Sequence, residues 1–373
     1  MQIQNFLLLF SAVAVALSWL TPEKWRMYCI QAITLLFLLK FDPFSAVLLA
    51  YTGVVSFYLV RIIKKKSTAA IVAITHLAII FFFYKSNLAP ALGWKLERLI
   101  PLGYSYYSFR QIHYVIEYYK GKLPKHDLKD FMAYLFFIPT LLLGPINRFD
   151  EFKRDLRRRR WDSNTFSKGL ERILFGYVKV VILGNFLMEY IAVPRIETMG
   201  DVWLASYLEL IRYFAHTYFM FAGFSDIAIG LALLMGFKVI ENFNFPFLAT
   251  NINDFWQRWH ISLSQWCKDY VFTPIAAWSR KPAYAIIASM LVLGLWHAIS
   301  SHYLVWAFYH GIGIAIWHRW DKVFKKRINF SLGKFGDILG ILFTFHFVAL
   351  SFVLINQPDW SAVLATYKKI FLI

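Results

Sequence analysis

Apolar runs of about 20 residues recur along nearly the whole chain, separated by short basic clusters, and few folds accommodate that pattern. A helix needs about 20 apolar residues to cross hydrocarbon, and fewer where neighbouring helices bury it. Candidate spans are 3–20, 27–41, 43–60, 69–84, 99–118, 170–192, 203–235, 284–299, 303–318 and 335–356, with marginal segments at 131–146 and 360–373. The expected fold is an all-α polytopic membrane protein with roughly nine to eleven crossings. No fixed-period repeat or low-complexity tract divides the chain, so residues 1–373 read as a single domain.

Composition agrees with a bilayer as solvent. Hydrophobic residues make up 59% of the chain and charged residues only 17%, and mean hydropathy is +0.50. A charge at the bilayer centre costs roughly 2.5–3.5 kcal/mol on insertion scales, so the charges outline the loops. The formal charge of +18 would suggest nucleic acid in a soluble protein, but here the basic residues flank spans and mark cytoplasmic loops, so no nucleic-acid partner is expected. The clusters Arg61 to Lys66, Lys153 to Arg160 and Lys322 to Lys334 are expected inside, which puts Lys64, Arg158 and Lys325 in the cytoplasm and the N-terminus outside. The first twenty residues lack a basic leader and a small-residue cleavage site and read as a retained span. Cys29 and Cys267 show neither metal spacing nor a paired framework.

Two segments break the pattern. Segment 131–146 is short, contains Pro139, Gly144 and Pro145, and has basic clusters on both sides, so it reads as re-entrant backbone lining a cavity. Segment 252–270 repeats Ile252, Phe255, Trp256, Trp259, Leu263, Trp266 and Tyr270 at helical spacing opposite a polar face. That predicts one amphipathic helix in the cytoplasmic interface, capped by Thr250 or Asn251, with His260 on the edge of its apolar stripe near Cys267.

Nucleotide-binding and protease signatures are absent, and any chemistry rests on histidine. His297 ends the apolar run MLVLGLWHAI, where an ionisable side chain faces a polar pathway or finds a backbone partner. Burial there keeps an imidazole neutral and able to accept a proton. His302 (in an expected loop), His310, His318 and His346 have no interleaved carboxylate, so no metal site is expected, and His310 and His346 are candidates for supporting groups. Asp226 sits within an apolar span and needs a partner or a proton. The run KRDLRRRR reads as a solvated cytoplasmic face or as a dock for an acidic partner or anionic lipid.

The stretches PLGYSYYSFRQIHYVIEYYKG (101–121), LLGPINRFDEF (142–152), FAGFSDIAIGLALLMGF (221–237), NFNFPF with NINDFWQRWHISLSQWCKDYVF (242–272) and LGLWHAISSHYLVWAFYHG (293–311) resemble the membrane-bound O-acyltransferase family. Its bacterial branches include the alginate O-acetylase membrane subunit and the D-alanyl transfer protein of teichoic acid modification. TPIAAWSRKPAY (273–284) stands where the alginate branch has a GGNR-like stretch, and GPINRF and the chain length resemble the D-alanyl branch more. The resemblance implies a ring of helices around a thinned core in a bacterial inner membrane. It implies His297 as the essential histidine and His260 as the second, and the substrate-binding residues expected with them are Trp256, Trp259, Trp296, Asn251 and Asp226. It further implies a thioester donor, acyl-CoA or a phosphopantetheinyl acyl carrier protein, with no bound cofactor. The acceptor would be a hydroxyl of an extracytoplasmic glycan, polymer or partner protein, with an SGNH-type transferase as a further partner.

Two rival functions fit a polytopic chain. One is a transporter or flippase for an acylated molecule, which inverted repeats would favour. The other is a non-catalytic scaffold for a secretion complex.

Overall fold

A computed structural model describes residues 2–86, 101–323 and 333–372. All regular elements among them are helices, accompanied by one isolated antiparallel bridge. The helices follow the apolar runs: α1 Gln2–Leu20, α2 Glu23–Phe41, α3 Pro43–Ile62, α4 Lys66–Lys85 and α5 Tyr104–Tyr119. Next come α6 Leu128–Leu135, α7 Phe149–Arg158, α8 Ser163–Glu197 with a π-helical stretch over Val178–Ala192, and α9 Val202–Leu234. The remainder are α10 Ile252–Arg258, α11 Ile261–Cys267, α12 Thr273–Ser279, α13 Pro282–His297, α14 Ser301–Val323, α15 Gly333–Asn356 and α16 Trp360–Phe371. Residues 99 and 100 of one predicted span, and Lys325 with most of its basic cluster, lie outside the described residues.

Among the described residues five helices, α3, α4, α8, α9 and α15, are long and apolar enough to cross a membrane by length and composition. The other predicted spans are also helical, but α13 has only 16 residues, and α2 and α14 carry charges at their ends. Large apolar side chains face outward along these helices, with Phe343 of α15 77% exposed, an arrangement costly in water and suited to hydrocarbon.

The chain forms two compact units, Met1–Phe175 with Ser225–Ile240, and Gly176–Phe224 with Glu241–Ile373. In the first, Asp42 starts α3 by accepting from Ser45 N (3.1 Å), and Pro43 fills the first turn, where a missing N–H costs nothing. Segment 131–146 is not a continuous helix. α6 ends at Leu135, a 3₁₀ turn covers Ile138–Thr140, and Gly144 takes φ 118°, a conformation open to glycine alone. Tyr134 Oη donates to the Asn147 carbonyl (2.7 Å), satisfying backbone that the broken helix leaves unpaired.

The basic run after α6 is only partly a solvated face. Lys153 pairs with Asp130, and Arg157 donates to the Lys125 carbonyl (3.2 Å). Arg159 lies 3.9 Å from the Trp19 ring centre and donates to Ser18 Oγ (2.7 Å). Arg158 and Arg160 are exposed.

In the second unit α13 and α14 meet at Gly294, where an added Cβ would stand 2.7 Å from the Tyr303 carbonyl oxygen and 2.9 Å from Ala307 Cβ. Gly294→Val is therefore expected to force the two helices apart, at a cost of about 1–3 kcal/mol. A thermal melt of the purified protein checks this, and an unchanged melting temperature would mean the contact is slack.

Candidate functional site

The predicted amphipathic helix over 252–270 is broken in the structure. α10 ends at Arg258, Trp259 is extended, and His260 adopts φ 46° before α11 starts at Ile261. The cause is a pairing distant in sequence. Phe243 bridges Trp259, Asn244 N donates to the Arg258 carbonyl (2.9 Å), and Ile261 N donates to the Asn242 carbonyl (2.9 Å). His260 is thus not on the edge of a stripe. It lies at a turn, 2% exposed, against the rings of Phe221 (4.6 Å) and Trp296 (5.5 Å).

Asn242 fixes the chemistry of that imidazole. Its Oδ1 accepts from Ser262 N (3.3 Å) and Ser262 Oγ (2.9 Å), and the backbone N–H can only donate, so the atom is oxygen. His260 Nδ1, 3.1 Å from the same oxygen, must then carry the proton. Neutral His260 presents Nε2 as a lone-pair acceptor, buried and without a hydrogen-bond partner. Burial and, after it, the nearby His297 hold its pKa well below the ordinary value, so the ring is neutral at pH 7.

His297, the last residue of α13, also contacts the Trp296 ring, at 4.6 Å. Tyr303 stacks on it (5.3 Å, 15° between planes) and Trp306 stands 5.9 Å away. Trp306 in turn contacts Trp256 (5.7 Å) and His310 (4.7 Å). His310 is 1% exposed, with Nε2 2.9 Å from Ser351 Oγ. That hydroxyl already gives its hydrogen to the Val348 carbonyl (2.6 Å), so His310 donates from Nε2 and keeps a lone pair on Nδ1.

Trp256 also lines a cleft of about 570 Å³ between α10–α11 and α13–α14, together with Gln257, Gln265, Lys268, Ser289 and His318. The lining is mixed, with apolar walls and a few polar groups, as small-molecule sites commonly are.

The remaining predicted residues fall elsewhere. Asn251 caps α10, accepting from Asp254 N (2.9 Å). Trp259 is a core residue packed on Phe255 (5.5 Å) and Phe243 (5.1 Å). Asp226 belongs to the first unit and is paired with Arg172 at 2.7 Å. His302 is in α14 rather than a loop, stacked on Trp360 at 4.5 Å. His346 takes a hydrogen bond with Tyr207 Oη (2.6 Å). Sequence reasoning missed Asn242, Tyr303, Trp306 and Ser351. Asn242 stands within the NFNFPF stretch, but nothing local links it to a histidine 18 residues on.

Residues 54–355 match MBOAT, the membrane-bound O-acyltransferase family. Among curated proteins, a probable alginate O-acetylase of Pseudomonas aeruginosa is 37% identical over 58% of this chain and 42% of its own length. A teichoic acid D-alanyltransferase of Bacillus subtilis is 30% identical over 68% of each chain. A peptidoglycan O-acetyltransferase of Helicobacter pylori is 27% identical over 77% of this chain and 60% of its own. The chain spans about half the length of the alginate relatives it matches. Identity is higher with those relatives than with the D-alanyltransferases, while the match covers 68% of the Bacillus subtilis D-alanyltransferase against 42% of the Pseudomonas aeruginosa protein, in keeping with the chain length. With five span-length apolar helices and a family match across most of its length, the chain is a multi-pass membrane protein that belongs to the membrane-bound O-acyltransferase family.

Proposed function

We propose that the chain is an O-acyltransferase that moves an acyl group from a cytoplasmic thioester, acyl-CoA or a phosphopantetheinyl carrier protein, to a hydroxyl of an extracytoplasmic glycan, polymer or partner protein. The observation that carries the reading is the pair of imidazoles that both contact the Trp296 ring, one of them held by Asn242 with a bare Nε2. A hydroxyl is a poor nucleophile at neutral pH, and a positioned neutral imidazole that removes its proton during attack supplies typically ~10²–10⁴-fold. His297 takes that role, in keeping with the family motif. His260 is a positioning acceptor whose Nε2 orients the hydroxyl or an N–H of the donor.

The cleft beside Trp256 suits the donor arm, with apolar walls for the chain and Lys268 available to an anionic group. Relatives named for acetyl transfer to alginate and to peptidoglycan support an acetyl group as the first to test, with D-alanyl as the alternative. An SGNH-type transferase receiving the acyl group outside remains part of the proposal. The test supplies acetyl-CoA together with a hydroxyl-bearing glycan acceptor to the purified protein and follows thiol release with ester formation. Thiol release that depends on His297 supports the reading, and intact thioester throughout argues for the transporter alternative.

The exposed arginines Arg157, Arg158 and Arg160 are proposed as the contact for an acidic carrier protein, because surface charge steers association and is screened by salt. Reversing Arg158 and Arg160 to glutamate is expected to raise the apparent KM for carrier several-fold and flatten its salt dependence. An unchanged KM would leave the arginines a topological role only.

A further inference from the structure

The aromatic cluster beside His297 holds two buried indole N–H groups without acceptors. Trp256 and Trp306 are 8% and 5% exposed, and neither Nε1 has a hydrogen-bond partner. Their rings stand 5.7 Å apart at 80°, and both pack on His310, at 5.3 and 4.7 Å. His310 Nδ1 is an acceptor in the same cluster, yet it too is unbonded. Phenylalanine would fill either position without burying a donor, so the N–H is what tryptophan adds at an energetic cost. Trp256 lines the donor cleft, and the Trp306 ring stands 5.9 Å from the His297 ring, centre to centre.

We propose that the N–H groups of Trp256 and Trp306 bind the thioester carbonyl oxygen and stabilise its negative charge in the transition state. The proposal rests on the acyl-transfer reading above and supplies the electrophilic half that the histidines lack. In the reaction the hydroxyl oxygen bonds to the carbonyl carbon while its proton passes to His297, and the C=O π pair moves onto oxygen. The oxyanion then collapses, the C–S bond breaks with its pair leaving on sulfur, and the imidazolium proton goes to the thiolate. Charge resides on the carbonyl oxygen only between those events, and fixed donors in a water-poor site act most strongly on such transient charge.

The test replaces each tryptophan with 3-benzothienylalanine, in which sulfur stands in for the N–H while the ring shape is kept. Two CoA analogues probe the full chain: a trifluoromethyl ketone in place of the thioester, and an S-ethyl thioether without the carbonyl. Wild-type protein should bind the ketone much more tightly than the thioether, and each substitution should erase most of that preference while leaving thioether binding unchanged. Acetyl transfer should fall ~10²–10³-fold in kcat per donor removed, with KM little altered. A substituted protein that keeps the ketone preference and wild-type kcat overturns the proposal and leaves acyl transfer standing. A wild-type protein with no ketone preference also overturns it, even if the variants fail to fold. Failure of the wild type to bind either analogue overturns the CoA-thioester reading and this proposal together.

Discussion

His297→Ala should lower acyl transfer by about two to four orders of magnitude while leaving donor binding close to wild type, because it removes a general base and little else. The side chain ends α13 in contact with the rings of Trp296 and Tyr303, where alanine deletes a ring from a packed aromatic cluster. Some loss of stability is therefore expected, and the melting profile has to accompany the kinetics. His297→Phe keeps the ring and removes the base, so it should fold better than the alanine variant and be as inactive. A folded phenylalanine variant that retains more than about a tenth of wild-type turnover would show that His297 is a packing residue.

The second large effect is expected at His260. Its Nε2 carries an unbonded lone pair because Asn242 Oδ1 holds the proton on Nδ1. His260→Ala should reduce kcat by about 10–100-fold, the scale of one lost hydrogen bond to a reacting group at roughly 1.4 kcal/mol per decade. Asn242→Leu leaves the imidazole in place but frees its tautomer and removes the acceptor shared with Ser262, so it should give a similar kcat loss with a lower melting temperature. His260→Gln restores an acceptor and should recover part of the loss, which a purely structural role would not do. Because burial keeps the folded-state pKa of His260 depressed, its neutral form persists as pH falls below the ordinary 6.5 and is lost only on protonation at lower pH. Its contribution to turnover should therefore be the same at pH 7 and at pH 6. A contribution that vanishes near 6.5 would mean the imidazole is solvated.

The helices were legible in the sequence because a 20-residue apolar run has few alternatives to a helix, and the structure follows those runs to within a few residues at most ends. The interruption at 131–146 was legible for a related reason: Pro139 removes a donor, and Gly144 permits a φ of 118°. Segment 252–270 failed where local periodicity stopped being the deciding term. Its apolar spacing is helical throughout, yet pairing of Trp259 with Phe243 and of Ile261 with Asn242 breaks the helix at His260. No window on the local sequence contains that pairing. Lone-pair direction is harder still to read, since the tautomers of His260 and His310 depend on Ser262, Asn242 and Ser351, residues that show their role only as neighbours in space. Asp226, which needed a partner within its apolar span, finds one in Arg172, and Asn251 is the helix cap that the sequence offered with Thr250.

The most direct test of the account uses inverted membrane vesicles from cells expressing the chain, which keep the membrane, the acceptor and any partner together and expose the cytoplasmic face. Acetyl-CoA labelled in the acetyl group is added outside, and base-labile ester within the vesicles is measured alongside CoA thiol released to the medium. Label is expected to enter ester in step with thiol release, one for one, and both should disappear in vesicles carrying His297→Ala. Label recovered inside the vesicles as intact thioester, or ester formation that His297→Ala leaves unchanged, would contradict the account.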